Sequence, residues 1–153
     1  MADPTTYLNA TVSISTTTQN TDLVNEAAFE GLSYTAIANV GTIGQYGYET
    51  NMVNYPTLAR ALTLKAKGQT DGGSFTIEAA QDVTDAGQIA FKAAGLPTVR
   101  DSYAFRIALP DGATHYLRGP VGGPVYPGGG NEDFVRMVFT VGVNQFLEGL
   151  PSA

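Results

Sequence analysis

Few residues in this chain could do chemistry, and their spacing argues against catalysis. The single histidine, His115, lies between Thr114 and Tyr116 in an alternating stretch. Nucleophilic hydrolysis needs such a base beside an activated serine or cysteine, and the chain has no cysteine. His115 therefore reads as an exposed strand residue of tunable charge. A metal site needs converging ligands, yet the nearest carboxylates are Asp82 with Asp85 and Glu132 with Asp133, which read as a helix cap and a solvated turn. The triplet Gly128, Gly129 and Gly130 lacks the Lys-Ser/Thr pair and the preceding strand of a phosphate loop, and Gly41, Gly44 and Gly47 have the wrong spacing for a dinucleotide fingerprint. A carboxylate pair for glycoside cleavage is compatible with spacing, but nothing selects one. The expectation is a non-enzymatic protein without cofactor or metal.

Composition narrows the choice further. At 153 residues, 43% hydrophobic and 14% charged, the chain suits one packed domain, 1–153, and is short for two. Without cysteine, stability must come from the core or from subunit contacts. The start, MADPTTYLNA, has no basic region followed by an apolar run, and no apolar stretch is long enough to span a bilayer, so no membrane association is expected. A net charge of −6 is the wrong sign for holding a polyanion. It would suit a surface past which nucleic acid slides without sticking, although most acidic proteins use such charge for solubility.

The elements read as mainly β, an α+β chain of about seven antiparallel strands closed as a sandwich or barrel with one flanking helix. Residues 1–20 form a polar arm holding one short strand around Val12 and Ile14, ordered on assembly. Leu23 to Leu32 offers a helical turn ended by Gly31, and Leu32 to Val40 a strand. Leu58, Arg60, Leu62 and Leu64 alternate with Ala59, Ala61, Thr63 and Lys65, giving a strand with one face toward a core. GQTDGG (68–73) then supplies a hairpin reversal into Phe75, Ile77 and Ala79. Asp82 or Thr84 caps the next helix, Asp85 suits its positive end, and Ala86, Ile89, Ala90 and Ala93 form its apolar stripe before Gly95 and Pro97. Tyr103–Leu109 and Ala113–Arg118 flank Pro110-Asp111-Gly112 as a second hairpin. GPVGGPVYPGGG (119–130) reads as a Gly/Pro-rich meander, and Phe134 to Phe146 as one long closing strand.

Val40 to Pro56 is unusual, because a surface loop seldom carries so many large apolar groups. It reads either as a bulged strand beside the core or as an extended loop, 41–56, whose Ile43, Tyr46, Tyr48, Met52, Val53 and Tyr55 are buried against another subunit. On the second reading, serine at both Tyr46 and Tyr48 is expected to leave the monomer folded and abolish assembly.

Over about Leu32 to Asn144 the chain resembles the major tail tube proteins of long-tailed, non-contractile bacteriophages. The resemblance lies in VNYPTLARALTLKAKGQTDGGSFTIEAAQDVTDAGQIAFKAA, with its K-x-K-G turn and D-x-x-D-x-G-Q helix start, and continues through YAFRIALPDGATHYLRGPV and NEDFVRMVFTVGVNQF. It implies a sandwich or barrel with one flanking helix, assembled as hexameric rings that stack into the tube of a virion's tail. Double-stranded DNA would pass through the acidic lumen without specific binding. The implied partners are further copies of the chain, a tape-measure protein, a tail terminator and distal tail proteins, with assembly in the host cytoplasm. The long loop reaching the next ring would correspond to Gly41 through Tyr55. Two other classes stay open: a ring-forming terminator or tail-completion protein, and a carbohydrate-binding sandwich using Tyr103, Tyr116 and Tyr126. The sequence leaves the orientation of His115 and Arg118 undetermined.

Overall fold

A computed structural model describes residues 3–149. Its strands are β1 (Thr11–Thr18), β2 (Tyr34–Ala36), β3 (Val40–Ile43), β4 (Glu49–Tyr55), β5 (Leu64–Asp71), β6 (Ser74–Ala80), β7 (Ser102–Ala108), β8 (Thr114–Val125), β9 (Arg136–Gly142) and β10 (Gln145–Gly149). The helices are α1 (Glu26–Glu30) and α2 (Ala86–Ala94). Eight strands form one antiparallel sheet folded into two layers, an antiparallel β-sandwich with a flanking helix. One layer runs β2-β1-β7-β8-β10 and the other β8-β9-β6-β3. β8 belongs to both. Thr114 to Pro120 pair with β7, and Val121 to Val125 with β9.

Period-2 alternation builds the space between the layers. Phe75, Ile77 and Ala79 of β6 and Met137, Phe139 and Val141 of β9 point inward from one layer, meeting Val12 and Ile14 of β1 and Phe105 and Ile107 of β7. Helix α2 closes one side with Phe91, whose ring centroid lies 5.7 Å from that of Phe105 and 5.2 Å from that of Phe139. The outer face of the first layer is covered by the segment from Gln19 to Leu32. There Phe29 stacks on Tyr116 at 5.2 Å, and Gln145 bonds both the N–H and the carbonyl of Leu23. Arg118 points the same way, donating to Asp22 at 2.5 Å and to the carbonyl of Gln19. Asn25 caps α1 by accepting from the Ala28 N–H, and Gly31 ends it as its sequence suggests.

Several expectations change. β1 is no arm awaiting a partner: it lies between β2 and β7 with Val12 and Ile14 buried, and Ser13 and Ser15 are buried on its other side. Strand β8 runs through 119–125, the first half of the expected meander, because Pro120 is the last residue paired to β7 before pairing passes to β9. A Cβ on Gly119 would stand 1.6 Å from the Gly142 carbonyl oxygen, so only glycine lets these backbones cross. The closing strand is two, since Val143 and Asn144 carry the chain from the second layer to the first. GQTDGG makes no β5–β6 hairpin; β5 pairs with β4 and β6 with β3 and β9. Helix α2 buries Gly87, Gln88, Phe91 and Ala94, one position round from the expected stripe, and leaves Ile89 half exposed.

Two substitutions test this framework. Gly119→Ala is expected to lower stability by about 1–3 kcal/mol or more by forcing the crossing apart. Phe105→Ala is expected to cost about 3–5 kcal/mol, both read as urea midpoints at unchanged slope.

Candidate assembly interface

The interface candidates of the sequence separate into two structures. From Gly44 to Tyr48 the chain closes the open end of the sandwich. The Gly44 N–H donates to the Thr76 carbonyl at 2.7 Å, which leads Tyr46 inward. Its ring lies 6.0 Å from Phe75, 5.4 Å from His115 and 6.1 Å from Phe146, and its hydroxyl bonds the His115 Nδ1 at 2.7 Å. Tyr48 stands edge-on to Phe146 at 5.2 Å while its hydroxyl donates to the Phe146 carbonyl. These groups, with Tyr7 and Glu148, border a cleft of about 400 Å³. Ile43 and Tyr46 thus pack on the chain's own core, and His115 is half-buried instead of exposed. Removing both tyrosines would disturb the monomer as well as any contact outside it.

Met52, Val53 and Tyr55 belong to the second structure. Strands β4 and β5 form a separate two-stranded sheet, with Met52 opposite Lys67, Val53 opposite Ala66 and Tyr55 opposite Leu64. Thr50 and Thr70 share a hydroxyl bond of 3.0 Å near its base, and a bulge follows between Thr50 and Met52. Neither strand pairs with the body. Apolar groups run to the tip: Tyr55 is 70%, Leu62 74% and Leu58 fully exposed. The expected core-facing leucines therefore face solvent, because no layer among the described residues covers them. A lone hairpin is marginal in water, and its exposed apolar residues make it the candidate for a contact site.

Charge separates the hairpin from the body as well. Between Glu49 and Asp71 the sequence has three cations, Arg60, Lys65 and Lys67, and no carboxylate. With Glu49 and Asp71, which end its two strands, the hairpin is +1, and the remainder carries five cations against twelve carboxylates, a net of −7. Among the described residues the ion pairs are Arg118–Asp22 and Arg136–Glu78, so no hairpin cation has a carboxylate partner in its own chain.

The capping residues lie away from this surface. Asp85, and not Asp82 or Thr84 as the sequence suggested, is the N-cap of α2, accepting from the N–H groups of Gln88 and Ala38 at 3.0 Å each. Asp82 accepts from the hydroxyl and N–H of Thr84, and these bonds hold its carboxyl below the usual range. Sequence reasoning missed Gln88, which is fully buried: its amide donates to the carbonyls of Ala38 and Ala80 while its oxygen accepts from the Asp82 N–H. The recurring Gly-Gln pair in the helix start was the available signal. Of the aromatics considered for sugar stacking, Tyr116 is buried, Tyr103 half-buried and Tyr126 exposed. No group of three or more histidine or carboxylate side chains among the described residues could hold a metal.

No protein-family model matches the chain, and no curated protein matches it in sequence. Solved structures do share the fold. A chain in the sheath/tube terminator of the PVC extracellular contractile injection system, in its extended state, superposes with a TM-score of 0.66 at 9% identity, covering 97% of this chain and 99% of that one. A chain in the 6-fold symmetrised baseplate of the anti-feeding prophage gives 0.66 at 11% identity, covering 97% of both. The likeness is end to end. One of these relatives comes from a contractile particle, whereas the sequence resemblance was to non-contractile tails.

Burial of the Tyr46 hydroxyl edge gives a pH test. Burial pushes both Tyr46 and Tyr34 well above the ordinary tyrosine value of about 10, with the nearby Tyr7 and Tyr116 hydroxyls adding to the shift. Because these folded values are raised, their contribution is complete below about pH 10 and lost as pH climbs through the range where only the unfolded tyrosines ionise. Stability in urea is expected to fall from about pH 8 to about pH 11, and a Tyr34→Phe, Tyr46→Phe protein to fall less. At about pH 8, Tyr46→Phe alone keeps the ring packing and is expected to cost about 1 kcal/mol for the lost His115 bond.

Proposed function

We propose that the chain is a structural subunit of a phage-tail-like tube, assembling as rings that stack through the β4–β5 hairpin. The observation that carries this reading is the hairpin itself: an apolar, cationic projection whose strands pair only with each other among the described residues. The end-to-end fold likeness to chains of two injection particles supports it. A 6-fold symmetrised relative supports six subunits per ring. Met52, Val53 and Tyr55, with Leu58 and Leu62 beyond them, are the side chains assigned to the contact between subunits, while Ile43, Tyr46 and Tyr48 brace the hairpin's root. Double-stranded DNA is the expected cargo of the lumen, and the charge of −6 suits transit without binding. Tape-measure, terminator and distal tail proteins are the proposed partners in the virion. Hydrophobic burial at about 25 cal/mol per Å² would offset the ordering of the hairpin.

A second reading is favoured by one comparison: a relative from a sheath/tube terminator points to a single closing ring. Negative-stain electron microscopy across a concentration series separates the two, since tube subunits give hollow filaments with a regular axial repeat and terminators give rings alone. A strictly monomeric protein at the highest concentration, with or without added tail-tip complex, would overturn both. Met52→Ser with Tyr55→Ser is expected to change folding stability by no more than about 0.5 kcal/mol, because both sites are exposed, and to abolish filaments. Filaments of normal length and number from that variant would remove the hairpin from the interface.

A further inference from the structure

The hairpin needs a receiving surface, and the body presents one with the complementary character. At the far end of the second layer, Val125 and Tyr126 leave β8 beside Phe134 and Val135, which enter β9, and beside Val83, which follows β6. The Gln81 N–H bonds the Val135 carbonyl, holding these segments together. Phe134 is 81%, Val83 68%, Val125 63%, Val135 61% and Tyr126 50% exposed, a cluster of exposed apolar residues at one end of the layer. Tyr126, Asp133 and Phe134 line a shallow pocket of about 130 Å³ within it. Asp82, Glu132 and Asp133 flank the patch, and the single cation there, Arg136, is paired with Glu78 at 3.5 Å.

Position makes the two surfaces a head-to-tail pair. The hairpin leaves the body at Ser74, the first residue of β6, and the patch lies beyond Ala80, the last. Seven extended residues separate them, about 20 Å along one strand. The hairpin makes no extensive contact with the body, so the two surfaces do not meet within one chain. Resting on the reading of the hairpin as an interface, we propose that the acid-flanked patch around Tyr126 and Phe134 is the seat for the hairpin tip of a second copy. Leu58 and Leu62 meet Phe134 and Val135 there, and Arg60, Lys65 and Lys67 face Asp82, Glu132 and Asp133. Such a contact joins unlike surfaces, so it does not close as a two-fold pair but builds a ring or an open filament according to the rotation between copies.

The absence of cysteine makes a direct test available. Leu62→Cys and Phe134→Cys proteins, one carrying a mass tag, are mixed and treated with a short bismaleimide, with thermal unfolding used to confirm that each is folded. The expected result is a cross-linked heterodimer in the mixture and little or no cross-linking of either protein alone. E132K/D133K in the Phe134→Cys chain is expected to reduce the yield about tenfold, and R60E/K65E/K67E in the Leu62→Cys chain to restore it. Cross-linking of one variant with itself, or a yield indifferent to charge reversal, would overturn the seat. So would an absence of cross-links under conditions where the unmodified protein forms rings or filaments, and in that case the subunit reading would stand with another occupant for the patch. Specific cross-linking without rings or filaments would keep the seat and overturn the tube reading.

Discussion

The fold depends on one backbone crossing. Strand β8 serves both layers, and it can do so only because Gly119 passes against the Gly142 carbonyl with no side chain between them. From that point the first half of β8 holds β7 and β10 while the second half holds β9. The return crossing from β9 to β10 lies at the same place, where the Asn144 N–H donates to the Arg118 carbonyl at 2.8 Å. The aromatic core and the closure of the open end by Tyr46 and Tyr48 are set by how far apart these crossings hold the two layers.

Helix α2 is fastened by a short sequence with four separate duties. Asp82 stabilises the approach, and Asp85 caps the helix while tying down the backbone of Ala38. Gly87 lets the helix come against Ala36 and Ile37, where a Cβ would meet the Ala36 carbonyl at 2.1 Å. Gln88 joins the ends of two connections with a buried amide whose groups are all satisfied, which a polar group in that position requires. Phe91 can then reach both layers. Spacing this specific reflects helix docking, and it explains why the run stands out although it contains no reactive group.

What the sequence made legible was local. The PDG turn, the inward alternation of Phe75, Ile77 and Ala79, the end of α1 at Gly31 and the mainly β class are decided by neighbours a few residues apart. The failures share a different cause. Apolar alternation at Leu58, Leu62 and Leu64 says that a face needs covering without saying by what, and here no described residue of the chain covers it. Residues 1–20 read as a polar arm, yet Ser15 within β1 satisfies its hydroxyl against Thr17 and Ala104 under the Gln19–Leu32 segment. Glycine and proline in 119–124 looked like breakers because their purpose, a handover between two partner strands, exists only in three dimensions. For the candidate interface, the sequence grouped Met52, Val53 and Tyr55 with Tyr46 and could not divide them from it, because the partners of Tyr46 lie 29 to 100 residues away.

The short link between β5 and β6 has a mechanical consequence. Only Gly72 and Gly73 separate the hairpin from β6, which is bonded on both sides, to β3 and to β9. A pull on the hairpin is therefore delivered along the axis of an interior strand, at right angles to its inter-strand bonds. Seven residue pairs with β9 must then slip together, in shear, instead of opening one at a time as they would if the force acted on an edge. A joint built this way tolerates tension and bending at its glycines while the sandwich behind it keeps its shape.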